Sequence, residues 1–199
     1  MRRSWLGGLL GAAVIGGTAA GAIGAQTGDV FAFIPSGGRT LLSNVLATNP
    51  SADVTKAMLT GKHTPEEWLA ELQRDAGTVP ALKSLDETQL KTLASYLSYH
   101  MPLPPDQGAD TAKADWSKQL PVDGRDMALT HCQSCHIITV VVTQDRARNA
   151  WLGTMHKPSH IGIKLTEQQR EELADYLVLN AGIPIDQIPE DLRAGGATY

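Results

Sequence analysis

Two thiols three positions apart with an imidazole directly behind them, Cys132-Gln133-Ser134-Cys135-His136, carry the plainest chemistry in this sequence. On one helical turn, each sulfur of such a pair can form a thioether with one vinyl group along a porphyrin edge. The adjacent imidazole can then swing under the ring and bind iron from the proximal side. The spacing therefore points to one covalent haem c, with Cys132 and Cys135 as the attachment points and His136 as the proximal ligand and metal contact. A zinc site built from Cys132, Cys135, His156 and His160 has the right residue types. Its two pairs are separated by 20 residues, longer than the usual finger spacing, and it leaves His136 idle. A thioredoxin-like dithiol needs a βαβ context that the chain does not offer, and a simple disulfide within the motif would precede haem attachment.

A second axial ligand must come from elsewhere if the site is closed. The run from Arg146 to Met155 ends 19 residues after His136 and reads as a helix, with Trp151 and Met155 four apart on one side. Met155 is the expected distal ligand and second haem-iron contact. His156 and His160 are alternatives, and an open site is the remaining one. The plainer role for Met155 is to fill a gap in a core. For His156 and His160 it is a solvated loop around Lys157-Pro158-Ser159.

The elements that must position these groups are helical, and they come in pairs. Asp86 and Thr166 each look like an N-cap followed by an acidic first turn. Behind them, Leu93-Ala94-Ser95-Tyr96-Leu97 and Leu173-Ala174-Asp175-Tyr176-Leu177 place the same residue types on one helical face. From Leu85 to Asp106 and from Leu165 to Asp186, nine of 22 positions are identical, and Trp68-Leu69 matches Trp151-Leu152 upstream. That is more than two amphipathic helices need share, so a duplicated helical unit is expected. The linker between the halves is expected from Pro102 to about Ala114, rich in Pro, Asp, Gly and Ala. Strand signals are thin: Ile137 to Val142 is β-branched, but directly behind the cysteine motif it reads as a loop or short helix. The fold class is mainly α.

From about Asp123 to Gly182 the sequence resembles a small class I c-type cytochrome. More narrowly, Cys132 to His136, then Arg148, Trp151, Met155 and the Leu165–Leu177 helix resemble cytochrome subunits of periplasmic dehydrogenases, such as sulfite dehydrogenase cytochromes and the haem domain of quinohaemoprotein amine dehydrogenase. The resemblance implies a Met distal ligand, which favours Met155, and a haem propionate facing Arg146 or Arg148. Aligned through its Trp, the first half places Leu72 where Met155 stands and Asn49 to Asp53 where the cysteine motif stands. The expected architecture is therefore two tandem cytochrome c-like helical units, the first without haem. Their spans are 26–110 and 111–199, behind a signal peptide or N-terminal anchor at 1–25.

Composition narrows the function further. The 199 residues carry a net charge of −4, which lacks the basic surface that nucleic-acid binding needs. Arg2 and Arg3 precede an uncharged stretch from Ser4 to Gly28, with small residues around Ala20–Ala25, the pattern of a secretory signal. The same stretch is long enough to serve as a membrane anchor, though rich in Gly and Ala. Either way the folded part is expected outside the cytoplasmic membrane, in the periplasm, with a membrane contact only if the segment is retained. The expected function is single-electron transfer by haem iron cycling between ferric and ferrous states, not catalysis by this chain alone. Its partner would be a redox protein or a catalytic dehydrogenase subunit. Two other functions remain open: a haem subunit built into a multi-subunit periplasmic oxidoreductase, and a haem sensor with an open distal site.

Overall fold

The computed structural model describes residues 29–104 and 115–193. The expected signal or anchor at 1–25 and most of the expected linker lie outside the described residues. What is described is mainly helical, with no strand among those residues. The first half holds α1 (Gly38–Ala47), α2 (Ala52–Thr60), α3 (Pro65–Asp75), α4 (Pro80–Lys83) and α5 (Glu87–His100). The second holds α6 (Trp116–Gln119), α7 (Gly124–Met127), α8 (Thr139–Val142), α9 (Arg148–Met155) and α10 (Glu167–Asn180). None of the described helices is long and apolar enough to cross a membrane.

Local chemistry starts the helices where the sequence says it should. Asp86 and Thr166 accept from the backbone N–H of Gln89 and Gln169, whose side chains accept in return from the cap N–H groups. Thr64 does the same with Glu67 at the start of α3, and Asp123 with Asp126 at the start of α7. The β-branched stretch behind the cysteine motif becomes the single turn of α8, as a loop or short helix rather than a strand.

Two hydrophobic cores form. The first gathers Leu42, Val45, Met58, Trp68, Leu72, Leu82, Leu93 and Leu97, all but sealed from solvent. The second gathers Met127, Ile138, Val142, Trp151, Met155, Leu173, Leu177 and Ile188. Neither core keeps to one side of a chain division at residue 110. Trp116 and Leu120 belong to the first core and Ile34 to the second. The exchange is held by matched contacts. The Tyr96 hydroxyl donates to the Pro121 carbonyl at 2.9 Å, and the Tyr176 hydroxyl donates to the Pro35 carbonyl at 2.7 Å. Gly38 packs flat against Tyr96, and Gly124 packs flat against Tyr176.

α5 and α10 lie against each other through polar groups that burial obliges to pair. The Tyr99 hydroxyl donates to the Asp175 carboxylate at 2.5 Å, His100 Nε2 meets Glu172 at 2.9 Å, and Asn180 donates to the Thr92 hydroxyl at 3.0 Å. Arg39 reaches Asp126 at 2.7 Å across the other side. α10 thus buries Arg170, Glu172 and Asn180 beside its leucines, because α5, α7 and α9 surround it.

Candidate haem site

The cysteine motif is presented by a helix that changes register. Asp123 caps α7, and the following residues, Ala128–Cys132, form a π-helical turn in which Gln133 N–H reaches back to the Ala128 carbonyl at 3.3 Å. Such wide turns inside helices are frequent at functional sites. A tight turn follows, with the N–H groups of Cys135 and His136 both directed at the Cys132 carbonyl. Cys132 is half-buried, while Cys135 and His136 are exposed, and the two thiols are not bonded to each other. Burial, with Cys135 beside it, pushes the Cys132 thiol up to about 11. A redox dithiol needs the opposite shift, so the thioredoxin-like reading finds no support in the site's electrostatics.

This turn opens onto a cavity of about 270 Å³. Its walls come from the motif itself, from Trp151, Thr154 and Met155 of α9, from Leu173 and Leu177 of α10, and from Val141. The segment after α9 closes it with Ser159, His160, Ile163 and Leu165. The volume exceeds the roughly 150 Å³ that holds a benzene-sized guest and approaches that of ordinary ligand pockets. Apart from the motif, two imidazoles and a few hydroxyls, the wall is apolar, which suits a flat hydrophobic ring.

Trp151 lines the cavity with its ring, while its indole N–H is buried out of reach of that space, with no hydrogen-bond partner among the described residues. Over its ring, at 5.3 Å, lies the Arg146 guanidinium, which also donates to the Thr154 hydroxyl at 3.0 Å. An orphaned buried donor costs free energy unless an acceptor meets it. Trp68, the counterpart in α3, is orphaned too, so the orphan by itself does not single out the cavity. The thiol pair, the imidazoles and the apolar wall are the features of the site that fit a porphyrin. Arg148, the other cation expected near a propionate, is instead committed to Asp175 at 2.5 Å. Its own pKa rises in consequence.

The three candidate distal residues separate clearly. Met155 and Trp151 share the cavity wall, as their four-residue spacing requires, and Met155 is buried in the second core. His160 also lines the cavity, its ring 6.2 Å from that of His136 and tilted by 23°. His156 points away. Its Nδ1 lies 2.8 Å from the Leu152 carbonyl and its Nε2 3.1 Å from the Glu167 carboxylate, so both nitrogens are spent at the surface. The four-ligand zinc reading therefore loses one of its members. Among the described residues, no group of three or more His, Cys, Asp or Glu is placed to hold a metal ion.

Sequence reasoning missed Arg170. Its side chain is buried, has no carboxylate partner among the described residues, and donates to the carbonyls of Met155 at 2.9 Å and Ile163 at 2.8 Å. It thereby pins both ends of the segment that carries His160. The signal was present: Arg170 occupies an inward position of the Leu173–Leu177 stripe, where α5 has Leu90.

No protein-family profile, curated protein or solved structure matches the chain.

Proposed function

We propose that the chain is an exported monohaem c-type cytochrome that passes single electrons. The observation that carries this reading is the placement of the Cys132–His136 turn at the mouth of an apolar cavity whose wall holds a second imidazole and a thioether. Bound there, haem supplies a one-electron couple at its iron. The chain's own residues would do the rest. Cys132 and Cys135 would hold the ring by thioether bonds and His136 would ligate its iron. Met155 or His160 would supply a second ligand, the thioether being the choice the sequence favours. Leu173, Leu177 and Trp151 would exclude water, which lessens the solvent rearrangement that accompanies a change of charge. Arg146, stacked over the Trp151 ring and free of a carboxylate among the described residues, is the cation left to meet a propionate. With both axial positions filled, no position is left for a substrate, so catalysis would belong to a partner. That partner is a redox protein or a dehydrogenase subunit.

The first half is proposed to be a cytochrome-like unit without haem. The reciprocal Tyr–Pro hydrogen bonds and the matched Gly–Tyr contacts support a duplicated origin. Pairing Gly38 with Gly124 moves the counterpart of the cysteine motif from Asn49–Asp53 to Leu46–Pro50. In place of a ring, this half packs Met58 and Leu59 of α2 into its core. Such filling avoids the cost of an empty cavity.

The test is maturation of the full-length chain in a bacterium that exports and assembles c-type cytochromes. Haem that stays with the polypeptide through denaturing electrophoresis, and is lost in Cys132→Ala/Cys135→Ala, supports the proposal. A chain recovered without haem from such cells overturns it. Carbon monoxide uptake by the reduced protein would instead favour the open-site sensor.

A further inference from the structure

The second axial position can be assigned more narrowly, on the reading that the cavity holds haem. We infer that His160, rather than Met155, is the residue that closes it, giving an iron held between two imidazoles. Three observations carry this. The rings of His136 and His160 face the same cavity with their centres 6.2 Å apart and their planes 23° from parallel. Two imidazoles bound on opposite sides of one metal atom, each by a bond of about 2.0–2.1 Å, have ring centres about 6 Å apart, which is the spacing of this pair. Next, the Ser159 hydroxyl lies 2.9 Å from His160 Nδ1. Metal-binding histidines characteristically engage their second nitrogen in this way, which fixes the ring and leaves Nε2 for the metal. No such partner meets Nε2 among the described residues. Finally, the segment is held rather than free. Arg170 ties the Met155 and Ile163 carbonyls, while His160 N–H donates to the Lys157 carbonyl at 2.8 Å and its own carbonyl accepts from Ile163 N–H at 3.0 Å.

Met155 has a complete structural role without iron. It sits in the second core at the end of α9, where a flexible side chain fills the space beside Trp151. Its assignment as ligand came from spacing and resemblance; that of His160 comes from ring geometry. The consequence is a lower reduction potential than a thioether would give, since Met ligation raises it.

The experiment uses the matured full-length protein. Near-infrared absorption and low-temperature electron paramagnetic resonance are recorded on the ferric form, for wild type, Met155→Leu, His160→Ala and His160→Gln. The inference expects a low-spin wild type without the thioether-to-iron band and a Met155→Leu variant that remains low-spin. Both His160 variants should turn high-spin and take up carbon monoxide once reduced, with added imidazole restoring the low-spin spectrum. A thioether band that disappears in Met155→Leu while His160→Gln stays low-spin overturns the assignment and leaves the haem reading intact. A high-spin wild type overturns it in favour of an open site. Absence of covalent haem in the wild type removes the underlying reading itself.

Discussion

Gly124 and Gly38 occupy equivalent close contacts in the two halves, and replacing each by alanine separates the fold from the site. A Cβ on Gly124 would stand 2.7 Å from Tyr176 Cγ, and one on Gly38 would stand 2.5 Å from Tyr96 Cγ. Ordinary carbon–carbon contacts lie at about 3.5–4.0 Å, and the tyrosine Cβ atoms stand closer still, so each substitution forces a displacement of more than about 1 Å. The obstacles include the Cβ atoms of the tyrosines, close to the α10 and α5 backbones, so rotating the ring does not relieve them. Overpacking of this kind costs about 1–3 kcal/mol, or a Tm lower by roughly 3–10 °C in a chain of this size. The two variants then diverge. α7 runs straight into the turn that carries Cys132, whereas α1 lies in the other core. Gly124→Ala is expected to lower both Tm and the haem bound per chain, while Gly38→Ala lowers Tm and leaves the haem spectrum unchanged. Circular-dichroism melts and the ratio of haem to protein absorbance measure both. Equal spectral disturbance in the two variants, or no loss of Tm in either, would refute the reasoning.

Other outcomes follow from single residues. Arg170→Met keeps the bulk but leaves the Met155 carbonyl without its donor and the Ile163 carbonyl with the Leu165 N–H alone. It should cost about 2–4 kcal/mol and disturb the ligand-field spectrum, whereas a Tm within about 2 °C of wild type would contradict the clamp. Burial, reinforced by the neighbouring Asp126 charge, raises Asp123 from the usual carboxylate range to about 6. The folded state therefore holds this proton more tightly than the unfolded one, and the associated stability, full below about pH 4, is lost as pH rises through 6. In urea titrations the stability difference between wild type and Asp123→Asn should fall across that window by at most about 3 kcal/mol and stay flat above it. A difference that grows with pH would reverse the sign. His156→Ala should leave the optical spectrum untouched in both oxidation states, because that ring is tied to Leu152 and Glu167. A spectral change would place it at the iron after all.

Much of the helical framework was legible because its signals are local. Caps such as Asp86 and Thr166 satisfy their own first turns, and the Leu-Ala-Tyr-Leu stripes declare their buried face without reference to the rest of the chain. The cysteine motif was legible for the same reason, its chemistry lying within five consecutive residues. The missed features depend on distant partners. Nothing local to Arg148 says that it meets Asp175 rather than a propionate, since that pair joins two helices 27 residues apart in sequence. The exchange of Ile34 and Leu120 between cores is set by how the halves pack, to which hydrophobic periodicity is blind. His156 and His160 look equivalent in sequence, and only the fold turns one towards Glu167 and the other towards His136. Arg170 was the exception, a charge standing in an apolar stripe, and it marked the segment that the site depends on.

Intact mass spectrometry of the exported full-length protein tests covalent haem attachment at Cys132 and Cys135 most directly. The prediction is one haem mass added per chain, retained under denaturing conditions, and absent when both cysteines are replaced by alanine. A chain carrying only the mass of its polypeptide, produced in cells that mature other c-type cytochromes, would contradict it.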